Sequence, residues 1–263
     1  MLRPVLLLFL VLWFAAPSRA GVFLENLTWT ELRDAIAAGS STVIVPVGGT
    51  EQSGPHMALG KHNGRVAFLA QKIAEAAGHT LVAPVIAYVP EGHIDPPTEH
   101  MRFPGTLSID DKTFIALLEQ TAASLRHAGF THVIFIGDHG GYQKDLSVAA
   151  DALNKKWAGQ GRALALRQYY QITQDGYVQA LREAGAANDE IGTHAALADT
   201  SLELATVPAM VRTEKLKDPN GFGPQMGVYG GNPARASAAW GQKGVDLIIA
   251  GTVTEIHKFV DGK

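Results

Sequence analysis

The chain contains no cysteine among its 263 residues. Disulfides, thiolate metal ligands and a cysteine nucleophile are therefore excluded. After the first twenty residues there is no further long apolar stretch, so no stable membrane insertion is expected of the remainder. There is also no strong charge of one sign. The formal net charge is −3, and the 22 basic residues are scattered without a stripe, which argues against a nucleic-acid partner. Internal repeats and low-complexity tracts are absent. With 28 glycines and alanine-rich segments, the composition fits a compact α/β enzyme-like domain better than a fibrous or disordered chain.

The first twenty residues read as an export signal. Arg3 gives the positive start, Val5 to Ala16 the apolar core, and Ser18-Arg19-Ala20 a small-x-small cleavage site. An uncleaved anchor is the alternative. The expected organisation is a signal over 1–20 and a single domain over 21–263, exported to the periplasm or secreted. That length is enough for one substantial core.

Hydrophobic periodicity predicts alternating strands and helices. Residues 28–38, 63–77, 110–128, 143–158 and 234–260 read as helices. Residues 42–47, 81–88, 132–136 and 163–168 read as strands. Asn63 is a candidate N-cap for the second helix. Such alternation implies a mostly parallel sheet with helices on both faces. Two aperiodic stretches stand out: a Pro/His-rich loop over 90–106 and a Gly/Pro/Asn/Lys-rich loop over 213–233.

Two predicted strands run straight into glycines and polar groups. Val43-Ile44-Val45-Pro46-Val47 leads to Gly48-Gly49-Thr50-Glu51-Gln52-Ser53-Gly54-Pro55-His56. Val133-Ile134-Phe135-Ile136 leads to Gly137-Asp138-His139-Gly140-Gly141. Ligands of open α/β sheets bind at the carboxyl ends of strands, so these loops read as two walls of one pocket. Metal-type groups occur in four segments: Glu51 with Ser53, His56 and His62; Glu99-His100; Asp138-His139; and His194 through Asp199. Carboxylate and imidazole donors suit zinc or manganese. Glu51 and His139, at the strand ends, are the candidates hardest to explain as ordinary polar residues. His56 is equally explained as a loop hydrogen-bonder and Asp138 as a helix cap. His79, His127, His132 and His257 read as surface or helix-end residues.

These segments together resemble the creatininase family of metal-dependent amidohydrolases. The resemblance is carried by Pro46 through His56, by Glu99-His100-Met101-Arg102-Phe103-Pro104-Gly105-Thr106, and by Gly137-Asp138-His139-Gly140-Gly141. His194 with Asp199-Thr200-Ser201, and Gly227-Val228-Tyr229-Gly230-Gly231-Asn232-Pro233, complete it. It runs from about residue 27 to the C-terminus. It implies an α/β three-layer sandwich, hydrolysis of a C–N bond in a small amide or cyclic amide, two divalent ions at the strand ends, and, by analogy, a homo-oligomer of hexamer type.

The chain departs from that pattern at three places. Ser53 stands where the first motif has a histidine ligand, His62 where a bridging aspartate is expected, and Asp199 where a glutamate precedes Thr-Ser. A neutral imidazole has one lone pair and cannot bridge two ions as a carboxylate does. A serine hydroxyl is a poor zinc ligand beside imidazole. The expectation is therefore a single zinc or manganese ion held by Glu51, His62, His139 and Asp199, activating a water molecule. By resemblance, His194 is the catalytic proton shuttle. Two alternatives remain open: an exported binding protein that keeps the pocket without catalysis, and a serine hydrolase using Ser53. The latter lacks a Gly-x-Ser-x-Gly elbow because Glu51 occupies the first glycine position.

Overall fold

The computed structural model of the protein describes residues 21–217 and 221–262; the expected export signal lies outside them. In chain order the elements are α1 (Trp29–Ala37), β1 (Thr42–Val47), α2 (Lys61–Ala77), β2 (Thr80–Val82), α3 (Asp111–Ala128), β3 (His132–Gly137), α4 (Gln143–Trp157) and β4 (Arg162–Ala165). There follow α5 (Gln168–Gln174), α6 (Gly176–Glu183), α7 (Asn188–Ile191), β5 (Gly192–His194), α8 (Leu197–Thr206), β6 (Tyr229–Gly231) and α9 (Ala238–Asp261). Helix starts follow local chemistry. Thr28 and Glu31 form a capping box on α1, Asp110 accepts from the Thr113 amide, and Ser237 accepts from the Trp240 amide.

The main sheet is wholly parallel in the order β2-β1-β3-β4. Side chains alternate across it with the strand period of two. Val43, Val45, Val47, Val133 and Phe135 pack on one face with Phe114 and Leu118 of α3 and Leu146 and Leu153 of α4. Ile44, Ile134 and Ile136 pack on the other with Val66, Leu69 and Ile73 of α2, Tyr169 of α5 and Ile248 of α9. The result is the expected three-layer arrangement. Among the described residues no helix is long and apolar enough to cross a membrane.

From β1 the chain passes through α2 on one face to β2, and from β3 through α4 on the other face to β4. The sheet therefore reverses its winding between the neighbouring strands β1 and β3. That is the topological switch point, where an open α/β sheet leaves a crevice. β1 and β3 are in register, with Val47 opposite Gly137, so both deliver their following loops at the same level.

Several boundaries differ from those read in the sequence. The strand expected over 81–88 ends at Val82, and the chain touches the sheet again only at Ile86 beside Val47. Pro84 interrupts it, having no amide to donate to a ladder. The strand expected over 163–168 stops at Ala165, and α5 starts at Gln168. Asn63 does not cap α2, which begins two residues earlier with Gly60 as its N-cap. Its side chain instead accepts from the Gly49 amide at 2.9 Å and donates to Thr50 Oγ1 at 3.2 Å, bracing the loop after β1. Within the 213–233 stretch lies β6, paired antiparallel with β5 through Tyr229 and His194.

α8 and α9 pack without a side chain between them at Gly241, where an added Cβ would sit 1.8 Å from the Ser201 carbonyl oxygen. Gly241→Ala must therefore push the helices apart. It should cost about 1–3 kcal/mol in urea unfolding, the usual range for overpacking. Unchanged stability would show that the two helices are not held this closely.

Candidate metal centre and active site

The loops leaving β1 and β3 are tied together by one hydroxyl. Tyr142 Oη accepts from the amides of Asp138 and His139, each at 3.1 Å, and faces the carbonyls of Val47 at 2.9 Å and Gly48 at 2.6 Å as donor. Its single proton is shared between those two carbonyls. The Asp138 amide also bonds the Val47 carbonyl at 3.0 Å. Glu51 and His139 thus hang from one fixed junction at the switch point.

Glu51, Glu91, His100 and His139 form the site's tightest donor cluster. One ligand atom from each lies within 4.8 Å of the others. Glu51 and Glu91 are 0% and 2% exposed. His100 Nε2 is 3.1 Å from Glu51 Oε2, His139 Nε2 is 3.5 Å from the same oxygen, and His139 Nδ1 is 3.4 Å from Glu91 Oε2. No other residue donates to either Glu91 oxygen or to Glu51 Oε2; the contact left to the Glu91 carboxyl is the Glu51 carboxylate itself. Buried carboxylate oxygens left without donors are costly, of order 1–3 kcal/mol each or more. Such a concentration of unpaired acceptors, with imidazoles beside them, is the environment a cation satisfies.

The ionisation pattern follows from burial and neighbours. Burial, and then the adjacent Glu51 charge, push the Glu91 carboxyl well above its usual range. Burial would raise Glu51 too, but His139, His62 and Lys61 outweigh it and hold its carboxyl well below the ordinary value. Burial keeps His139 neutral, with His62, His100 and Lys61 adding to the effect against the pull of Glu51, and sets its pKa at about 4. His100 is lowered, again chiefly by burial. Neutral imidazole is the form that ligates metals.

Two residues expected as ligands are occupied elsewhere. His62 Nε2 lies 2.7 Å from Glu51 Oε1 and its Nδ1 2.5 Å from Asp138 Oδ2. Burial and Lys61 both oppose charge on this ring, but Glu51 and Asp138 prevail and raise its pKa. With carboxylates at both nitrogens, it has no lone pair directed at a cation. Asp199 is engaged at both oxygens. Arg65 Nη1 donates to Oδ1 at 2.6 Å, while Oδ2 pairs with Lys61 and accepts from the Ala195 amide at 2.9 Å. So the set Glu51, His62, His139 and Asp199 does not converge on one point. Glu51 and His139 do converge, with Glu91 and His100 in the other two places. Asp138, read as a possible helix cap, binds His62, Arg65 and Tyr169 Oη instead, the last at 2.8 Å. Ser53 is fully buried and its hydroxyl makes no hydrogen bond, so no base reaches it as a nucleophile would need.

His194 stands on β5 at the edge of the cluster. Its Nε2 lies 3.0 Å from the Gln52 carbonyl, an acceptor, and 3.1 Å from the Gln52 side-chain amide nitrogen, a donor, so the two contacts call for opposite tautomers; Nδ1 is 3.6 Å from Glu51 Oε1. Burial first, then Lys61, depress its pKa to about 3 despite Glu51 and Asp199. The ring packs against His100 at 4.5 Å between centroids and Tyr229 at 5.5 Å. Beside it opens a cavity of about 330 Å³, lined among others by Lys61, His100, Tyr170, Thr193, His194 and Tyr229. Of the remaining histidines, His79, His127 and His257 are exposed and His132 half-buried. His56 bonds Thr200 Oγ1 at 2.9 Å.

Comparison with known proteins bears on this geometry. The family model for creatininase, described as creatinine amidohydrolase, matches residues 25–256. The chain belongs to the creatininase family. It is 28% identical over 224 residues to creatinine amidohydrolase of Pseudomonas putida, covering 82% of this chain and 84% of that one. It is 27% identical over 234 residues to 3-dehydro-scyllo-inosose hydrolase of Thermotoga maritima, covering 84% and 68%. A crystal structure of creatinine amidohydrolase superposes with a TM-score of 0.75 at 25% identity, over 90% of this chain and 97% of that one. More distant creatininase structures sharing the fold are described as a Zn–Zn type (23% identity, TM-score 0.74) and as a manganese form (22%, 0.73). The chain is thus a hydrolase of an amidohydrolase family that acts on C–N bonds.

Sequence reasoning missed Glu91, Lys61 and Arg65, and placed His100 only in a segment rich in metal-type groups. The signal for Glu91 was its place in Pro90-Glu91-Gly92, at the start of the long loop. Its position depends on Gly49, whose φ is +150° and where a Cβ would lie 2.5 Å from Glu91 Oε1. Gly49→Ala combines a strained backbone with a collision at Glu91. It should cost about 1–3 kcal/mol by thermal or urea unfolding and weaken binding of added Zn²⁺ or Mn²⁺ in calorimetry. Unaltered affinity would show that Glu91 can leave this position without consequence.

Proposed function

We propose that the chain is a metal-dependent hydrolase of a small polar amide or cyclic amide, using one divalent ion, zinc or manganese, held by Glu51, Glu91, His100 and His139. The observation that carries this reading is the buried pair of carboxyl groups, Glu51 and Glu91, set against each other beside two imidazoles with no other donor reaching Glu51 Oε2 or Glu91. Two carboxylates balance the charge of a dication, and an N₂O₂ donor set suits zinc or manganese. The zinc and manganese forms among the solved creatininases support the same choice of ion. A divalent ion here would supply Lewis acidity and a water nucleophile at neutral pH.

The chain's own residues supply the rest. The Gln52 carbonyl and side-chain amide both hold His194 at Nε2, and His194 is the residue at the edge of the cluster that would pass a proton to the leaving nitrogen. Tyr229 and His100 pack against its ring in tilted contacts. Tyr170, Thr193 and Tyr229 give the cavity polar walls, and its volume of about 330 Å³ suits a small molecule. The proposal extends to export through residues 1–20 and to assembly as a homo-oligomer. The export part is checked by following a reporter fused behind residues 1–20, and the assembly part by light scattering.

Three variants test the site. Glu91→Gln and His100→Ala should each reduce bound zinc or manganese below one equivalent on elemental analysis. His194→Ala should keep the metal and lower turnover of a responsive amide by about 10²–10⁴-fold. A His194→Ala protein of full activity removes this residue from the mechanism. Metal retained in both ligand variants moves the ion elsewhere. A stably metal-loaded protein that turns over no small amide favours the binding-protein alternative.

A further inference from the structure

The two oxygens of Glu51 face different worlds. Oε2 looks into the cluster with Glu91, His100 and His139. Oε1 looks the other way, to His62 Nε2 at 2.7 Å, Lys61 Nζ at 3.5 Å and His194 Nδ1 at 3.6 Å. Behind Oε1 lie three more buried or largely buried acids, Asp138, Asp199 and Glu203. Arg65 reaches all three, at 2.8 Å, 2.6 Å and 3.8 Å.

Between Glu51 and Asp199 sits the Lys61 ammonium, in contact with both carboxylates. Lys61 is 1% exposed. It is also the first residue of α2, where the helix dipole disfavours a cation. A buried lysine at the adverse end of a helix, joining two carboxylates, is not explained by local folding. Its surroundings explain it: without a cation there, Glu51 and Asp199 would meet as buried like charges. Joining two carboxylates across such a gap is also what a divalent ion does.

We propose that Lys61 is a tethered counter-cation that fills the place between Glu51 Oε1 and Asp199, so that the centre takes a single divalent ion, on the Oε2 side only. The inference deepens the metal-dependent reading above and rests on it. A fixed ammonium on the opposite edge of the same carboxylate repels a second dication and occupies, with the Ala195 amide, the Asp199 oxygen that faces it. Arg65 completes the device by engaging the other Asp199 oxygen. The second positive charge of the site is therefore part of the polypeptide and cannot be removed by a chelator.

The test is Mn²⁺ stoichiometry on the full chain, by calorimetry and by electron paramagnetic resonance. Wild type and Lys61→Arg should bind one equivalent and give the spectrum of isolated Mn²⁺. Lys61→Met, similar in length but uncharged, should accept a second equivalent and show the exchange-coupled signal of a manganese pair. Mn²⁺ should also raise its melting temperature more than that of wild type. Asp199→Asn should still bind one equivalent. Two equivalents in wild type overturn the Lys61 inference and leave the metal-dependent reading standing. Loss of the ion in Asp199→Asn overturns it too, since Asp199 would then be a ligand. So does a Lys61→Met chain that keeps one equivalent, or one that stays unfolded in millimolar Mn²⁺, because an ion filling that place would restore the charge balance. No metal in wild type overturns the reading on which the inference rests, and the inference with it.

Discussion

The structure depends on a carboxylate, that of Glu51, kept ionised with none of its surface in water. Desolvating such a group costs several kcal/mol unless charge and hydrogen bonds answer it. Here the answer is uneven. His62 and Lys61 serve one oxygen, while the other has the rings of His100 and His139 beside it and a second buried acid. That asymmetry organises everything nearby: the rings of His100 and His139, the position of Glu91, and the ion-pair network of Lys61, Arg65, Asp138 and Asp199.

The fold fixes half of this arrangement through the sheet itself. Two apolar strands in register end at the same level, and the reversal of winding between them opens the crevice. The strand ends supply Glu51 and His139. α2 begins beneath the same crevice and supplies Lys61, His62 and Arg65 within its first five residues, two of them on one side of the helix at i and i+4. Burying so many charges is expensive, and it recurs where function requires a prearranged electrostatic environment.

Much of the fold could be read from the sequence. β1 and β3 are pure apolar runs with glycine after them, and α3 has an aspartate cap and a terminal glycine, so their boundaries carry local signals. Pro84 shortened β2 by a local effect, its missing amide, whereas Asn63 was taken from its capping role by a tertiary contact with the Gly49 turn. The site was half legible. Glu51 and His139 follow directly from strand ends. Glu91 and His100 do not, because they reach the centre through the path of a long loop that no periodicity describes. His62 and Asp199 look like ligands in one dimension, since nothing in the sequence shows that Asp138 and Arg65 lie across from them. The half-seen ligand set thus comes from pairings between residues 76 and 134 positions apart in the chain, His62 with Asp138 and Arg65 with Asp199.

The Tyr142 junction divides the centre into a rigid half and a compliant half. Glu51 and His139 are fastened to adjacent strands through a hydroxyl whose proton and lone pairs are all engaged. Glu91 and His100 sit on either side of residues 93–97, a span open to solvent along its whole length. Half of the four-residue cluster is therefore set by the sheet and half by the path of the loop, so a change confined to the loop alters Glu91 and His100 and leaves Glu51 and His139 where they are.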